Sequence, residues 1–206
     1  MTQEINLKEL EKKAFRSYHE DGIWDIFLGL IMMAMAVNAF LSKIGVPELQ
    51  TMIAFIGLEL VAVIFLIAGK KRITVPRIGH VKFGKTRRAK LTKVKIVLAL
   101  SVIFGLVALA LGIIMQGDSS GVLLPLAWMV NALIVFSVMA YFMDFPRLYI
   151  IGILYAMVLP IDVALHEFGI AYIIFGIAAT IILVMGLVIL SRFLRDHPLP
   201  AEGVEL

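Results

Sequence analysis

A polytopic bundle of six transmembrane helices, all-α with one small basic loop read as a β-hairpin, is the fold class that the sequence predicts. Three observations lead there. Six apolar runs of about 20 residues, the length an α-helix needs to cross a hydrocarbon layer, fall at 23–41, 51–69, 96–115, 122–142, 148–165 and 169–191. Of the 19 Lys and Arg residues, all but Lys43 lie on alternate connecting segments, the asymmetry of a chain threaded in one orientation. With 61% hydrophobic residues, 17% charged residues and a mean hydropathy of +0.99, the 206-residue chain carries more apolar surface than a soluble core of that length hides.

An even number of crossings returns both termini to one side, and the basic residues make that side the cytoplasmic face of the cell membrane. Residues 1–22 form a polar lead-in, and no small-residue cleavage pattern follows the first apolar run, so an uncleaved start is expected. Within it Leu7, Leu10, Ala14 and Tyr18 recur at helical spacing opposite Lys8, Glu9, Glu11, Lys12 and Lys13. This segment is either an amphipathic helix on the inner membrane surface or a solvated helical lead-in. Spans one and two occupy 23–69, a basic segment 70–95, spans three to six 96–191, and a tail 192–206. Between the fourth and fifth spans Met143-Asp-Phe-Pro-Arg147 must turn tightly, because Pro146 cannot donate a helix hydrogen bond.

The segment 70–95 holds eleven Lys and Arg residues and no acid, which calls for an anionic neighbour. Lys70, Lys71, Arg72, Lys82, Lys85, Arg87, Arg88 and Lys90 are candidates for anionic lipid headgroups, each contributing about 1 kcal/mol near a charged surface. Topogenesis alone, or a phosphorylated solute or protein partner, accounts for the same charge. Its first half, Arg72-Ile-Thr-Val-Pro-Arg-Ile-Gly-His-Val-Lys-Phe-Gly84, alternates apolar and polar positions around Pro76 and Gly79. That pattern predicts a small extended hairpin.

Two stretches, Tyr18-His-Glu-Asp-Gly-Ile-Trp-Asp-Ile-Phe-Leu-Gly-Leu30 and Arg72-Ile-Thr-Val-Pro-Arg-Ile-Gly-His-Val-Lys-Phe83, resemble a group of uncharacterised prokaryotic multi-pass membrane proteins. The resemblance covers roughly the N-terminal half and implies a membrane location, but no substrate, cofactor or catalytic residue. In the first stretch Asp21 and Asp25 share a helix face at the cytoplasmic end of span one, near the level where Arg77 and Arg147 emerge. A carboxylate there wants a cation. Docking of Arg77, held by the Pro76 and Gly79 turn, on Asp25 or Asp21 is therefore expected to pin the basic loop to the bundle.

Within the membrane, Glu59 stands at the centre of span two. A charge at that depth costs at least about 2.5 kcal/mol on insertion scales, so Glu59 is protonated, paired or facing a wet cavity. Asn131 of span four lies at comparable depth and is its expected partner, either as interhelical glue or as half of a proton or cation site. Tyr155, Asp162 and His166 follow one stripe of span five, and Pro160 should free the carbonyl of Ala156. Together they make either an external mouth for a cation or proton, or polar residues that merely meet water. Small residues at Ser101, Gly105, Ala108 and Gly112, and again at Gly169, Gly176, Ala179 and Gly186, predict close helix approach in spans three and six. A homo-oligomer is allowed but not required.

Several functions are set aside. The absence of Cys excludes disulfide and thiol chemistry, and the pI of about 9.4 reflects membrane-flanking charge and does not point to nucleic acid. The pair His166-Glu167 lacks the second His of a zinc helix, and neither a phosphate-binding Gly-rich loop nor a Gly-x-Ser-x-Gly elbow occurs. No catalytic residue, metal or cofactor is expected. Two readings remain: a small transporter or channel for protons, cations or a small solute, and a non-catalytic membrane component that binds anionic lipid or a protein partner through its basic loop.

Overall fold

The computed structural model describes residues 20–78, 85–114, 120–165 and 168–198. Among these residues the chain is helical and contains no strand. Six helices are long and apolar enough to cross a membrane: α1 (Ile23–Lys43), α2 (Glu48–Ile78), α3 (Lys85–Ile114), α4 (Ser120–Met143), α5 (Arg147–Ala164) and α6 (Ala171–Asp196). The six apolar windows of the sequence thus correspond to six helices, although α2 and α3 run well past their windows into the basic segment.

Helix ends follow from local chemistry. Before α1, Gly22 adopts φ 84°, and Asp21 Oδ1 accepts the backbone N–H of Ile23 at 3.0 Å, so one of the unpaired donors of the first turn is satisfied. Gly45, also left-handed at φ 80°, and Pro47 turn the chain from α1 into α2. At the expected tight turn α4 stops at Met143, Asp144 takes the left-handed conformation at φ 52°, and α5 resumes at Arg147. Asp tolerates that conformation better than most residues. Phe145 is fully buried beneath this turn, with the Arg147 guanidinium 4.9 Å from its ring centroid.

Helix α1 lies at the centre of the bundle. It packs along α6 and against α2, while α4 packs on α5 and α3 on α4. The α1–α6 crossing is close because side chains are missing where the backbones meet. A Cβ placed on Gly22 would sit 2.5 Å from the Gly186 carbonyl oxygen, and one on Gly186 would sit 2.8 Å from the Ile26 nitrogen. The α4–α5 crossing uses Gly152 in the same way, since a Cβ there would meet Phe136 at 2.5 Å. The core between these layers is apolar, with Met32, Leu148, Ile151 and Ile182 fully enclosed.

The small-residue stripes are realised in part. Ala179 and Gly186 of α6 are buried against the bundle, whereas positions beside Gly105, Gly169 and Gly176 are open. Helices α2 and α3 are peripheral, with 11% and 6% of their apolar windows buried. Residues such as Ile53, Ile64, Val102 and Leu106 point outward. So continuous an apolar surface needs lipid as its solvent.

The hairpin expected in the basic segment is not formed by the described residues. Instead α2 continues through one π-turn, Lys70–Thr74, into a last helical turn, Val75–Ile78. Pro76 explains the wide turn: it lacks an N–H and its ring crowds the carbonyl four residues earlier, so the ladder is re-spaced just upstream. The alternation of Ile73 and Val75 with polar neighbours was a strand signal without a partner strand. What decides the conformation is tertiary: Thr74 is completely buried against the start of α1.

Candidate functional site

At the basic end of the bundle, two carboxylates of α1 and its cap are seated by two other helices, α2 and α5. Asp21 is fully buried. Its Oδ2 accepts hydrogen bonds from Lys70 Nζ at 2.7 Å and from the Thr74 hydroxyl, while Oδ1 holds the Ile23 amide. The π-turn places both Lys70 and Thr74, one turn apart, on this single carboxylate. Asp25, one turn further and also buried, pairs with Arg147 at 3.3 Å from the start of α5. Its other oxygen, Oδ1, has no hydrogen-bond donor among the described residues.

This arrangement corrects the expected docking. Arg77 does not reach Asp21 or Asp25; its Nη1 donates to the carbonyl of Ile73, at 3.0 Å within its own segment. The cation that holds the segment down is Lys70, which the sequence reading had assigned to lipid headgroups. Lys70 is 8% exposed and thus unavailable to an approaching headgroup. Of the residues expected at this level, Asp25 and Arg147 pair with each other, whereas Asp21 takes Lys70 and Thr74, which are not among its expected partners. A signal existed: they stand four apart, matching the spacing of Asp21 and Asp25.

Deeper in the bundle, Glu59 and Asn131 do not meet. Asn131 Nδ2 donates to Ser101 Oγ at 2.9 Å, which ties α4 to α3. Replacing either residue with Ala is expected to cost about 0.6 kcal/mol, the mean for interhelical hydrogen bonds in membranes. The two losses should be non-additive in a double-mutant cycle, whereas a cycle between Glu59 and Asn131 should show no coupling. Coupling in the second cycle would contradict the pairing.

Glu59 is instead partly buried on α2. Its Oε1 is buried without a hydrogen-bond partner among the described residues, and its charge lies within electrostatic range of the Tyr155 phenol. Tyr155 is clamped at both ends. Its hydroxyl donates to the Leu28 carbonyl of α1 at 2.6 Å, its backbone carbonyl accepts from Trp128 Nε1 at 2.7 Å, and its ring lies 4.9 Å from that of Phe136. The indole thus binds the carbonyl one residue before Ala156, the one Pro160 was expected to free. A phenol donating to a carbonyl keeps lone pairs for a second donor. Glu59, Tyr155 and Asp25 therefore fall in sequence from mid-depth toward the basic end, since Glu59 is about 16 Å along α2 from Lys70 and Tyr155 about 12 Å along α5 from Arg147.

The expected outer mouth is described only in part. Asp162 is partly buried near the end of α5, whereas His166 lies outside the described residues, as does Lys82. At that same end Lys43 Nζ contacts the Tyr172 hydroxyl at 3.4 Å and lies 4.6 Å from its ring centroid. Among the remaining lipid candidates, Lys71 and Arg72 are exposed. Lys90 approaches Asp144 at 3.9 Å. Lys85, Arg87 and Arg88 begin α3, with side chains outside the described set. Comparison of the chain with protein-family models, curated proteins and solved structures gives no match, so the functional argument stands on this geometry.

Proposed function

We propose that the chain is a small multi-pass transporter or channel of the cell membrane, with both termini cytoplasmic, that moves protons, cations or a small solute past Glu59. The observation that carries the reading is the buried carboxyl oxygen of Glu59, without a hydrogen-bond partner among the described residues and within electrostatic range of the Tyr155 phenol, in the otherwise apolar stretch of α2 from Met52 to Ala68. Intramembrane carboxyls are expensive and mark ion or proton paths. Structural glue does not need an ionisable group, because Gln at that position would hydrogen-bond as well. With Asn131 engaged by Ser101, the chemistry open to Glu59 lies on the side of Tyr155 and, further toward the basic end, the free oxygen of Asp25. These groups are too far apart for direct transfer, so movement between them requires intervening water.

The test is ion flux in liposomes holding purified protein, over a pH series and under proton, sodium and potassium gradients. Wild type is expected to conduct, and Glu59→Gln to abolish the flux while leaving thermal stability within about 1 kcal/mol, as for a near-isosteric change. No flux from stable wild-type protein under any of these gradients would sink the proposal. The alternative, a non-catalytic component recognising anionic lipid or a protein partner, draws on the exposed Lys71 and Arg72, and it would then take precedence.

A further inference from the structure

We infer that the groove between α1, α3 and α4 at the basic end is a binding site for one anionic phospholipid, its acyl chain lying in the groove and its phosphate held by Lys95. This site is independent of the Glu59 reading. The groove is a cavity of about 470 Å³ lined by Trp24 of α1, Leu91, Val94 and Leu98 of α3, and Met139 and Met143 of α4, within the usual size of small-molecule sites. Apart from Thr92 and Lys95 its walls are apolar and adaptable: methionines are flexible enough to follow a mobile chain, and a tryptophan at a helix start suits the interface between headgroups and hydrocarbon.

Charge identifies the occupant. Leu91, Val94, Lys95 and Leu98 follow the i, i+3, i+4, i+7 register of one helix face, so Lys95 is a cation set into an otherwise apolar stripe. The neighbouring cations are already engaged, Lys90 near Asp144 at 3.9 Å and Lys93 over the Phe142 ring at 5.5 Å. Lys95 is exposed and has no hydrogen-bond or ion-pair partner among the described residues. Asp144, the residue after the lining Met143, pairs with Lys90, and Lys95 is the one charged side chain in the lining. An amphiphile with one negative headgroup beside a hydrocarbon tail complements both features, whereas a zwitterionic lipid meets the groove but not the charge.

Trp24 supplies the readout. In Trp128→Phe protein, where Trp24 is the sole tryptophan, brominated phosphatidylglycerol in a phosphatidylcholine bilayer is expected to quench with about fivefold higher apparent affinity than brominated phosphatidylcholine, the factor corresponding to one basic residue at an anionic surface. Lys95→Gln should bring the two curves together. Native mass spectrometry of the chain with both tryptophans gives the same comparison without relying on Trp128→Phe folding. Phosphatidylglycerol should be retained in preference to phosphatidylcholine, and Lys95→Gln should remove the preference. Equal retention of the two lipids, or a preference that survives Lys95→Gln, overturns the site.

Discussion

Lys70→Met is expected to destabilise the protein by about 3 kcal/mol or more, because it leaves the Asp21 carboxylate, fully buried, without its cation. Asp21→Asn should cost a similar amount, since it removes the negative charge from around the 2.7 Å contact to Lys70. The double variant Asp21→Asn with Lys70→Met should recover most of the loss. Asn Oδ1 can still accept the Ile23 amide while its Nδ2 donates to the Thr74 hydroxyl oxygen, and Met fills a volume near that of the lysine stem. Replacing a buried ion pair as a unit is often neutral, whereas removing one partner is not. Thermal or denaturant unfolding of the purified proteins in detergent measures this cycle. Single variants each costing under about 1 kcal/mol, or a double variant no better than the sum of its parts, would show that the pair does not hold α1 to α2.

A comparable loss is expected for Gly22→Ala. Left-handed backbone costs a residue with a Cβ about 1–2 kcal/mol, and the new methyl would be driven to 2.5 Å from the Gly186 carbonyl and 2.7 Å from the Leu190 nitrogen. Forced overpacking adds about 1–3 kcal/mol, for a total of about 3 kcal/mol. Two companion variants separate the contributions. Gly45→Ala meets the same left-handed penalty at φ 80° with open space around it, so it should lose only the backbone part. Gly186→Ala has no such φ and meets Ile26 at 2.8 Å, so it should lose only the packing part. Equal melting temperatures for Gly22→Ala and Gly45→Ala would mean that the α1–α6 crossing yields without cost.

Helix number and approximate position were legible in the sequence because lipid imposes a length on every apolar run. Rotation about each axis was not, and the candidate site depends on rotation. Hydropathy cannot say which of two polar residues at equal depth face one another. Glu59 was thus matched to Asn131, when the partner of Asn131 was Ser101 on the preceding helix, α3. Residues 70–78 failed for a different reason. Four cations and alternating polarity describe a solvated ribbon well, and a sequence offers no sign that one of those lysines is to be buried on an aspartate 49 residues earlier. Arg147 was placed at the correct level because a turn at Pro146 puts it at the helix start, but its pairing with Asp25 needed the fold.

The central position of α1 has a consequence for synthesis. It precedes the other described spans in the chain, and its carboxylates at 21 and 25 are satisfied by groups that emerge later: Lys70 and Thr74 at the end of α2, then Arg147, 122 residues beyond Asp25. Its closest packing partner, α6, is the last. Until those groups emerge, the nascent chain holds two acidic residues at the edge of α1 without the cations that pair with them in the finished fold, and each later helix covers part of that surface. A chain stopped before α6 would leave uncovered the side of α1 that carries Gly22 and Gly29, where α6 comes closest in the finished fold.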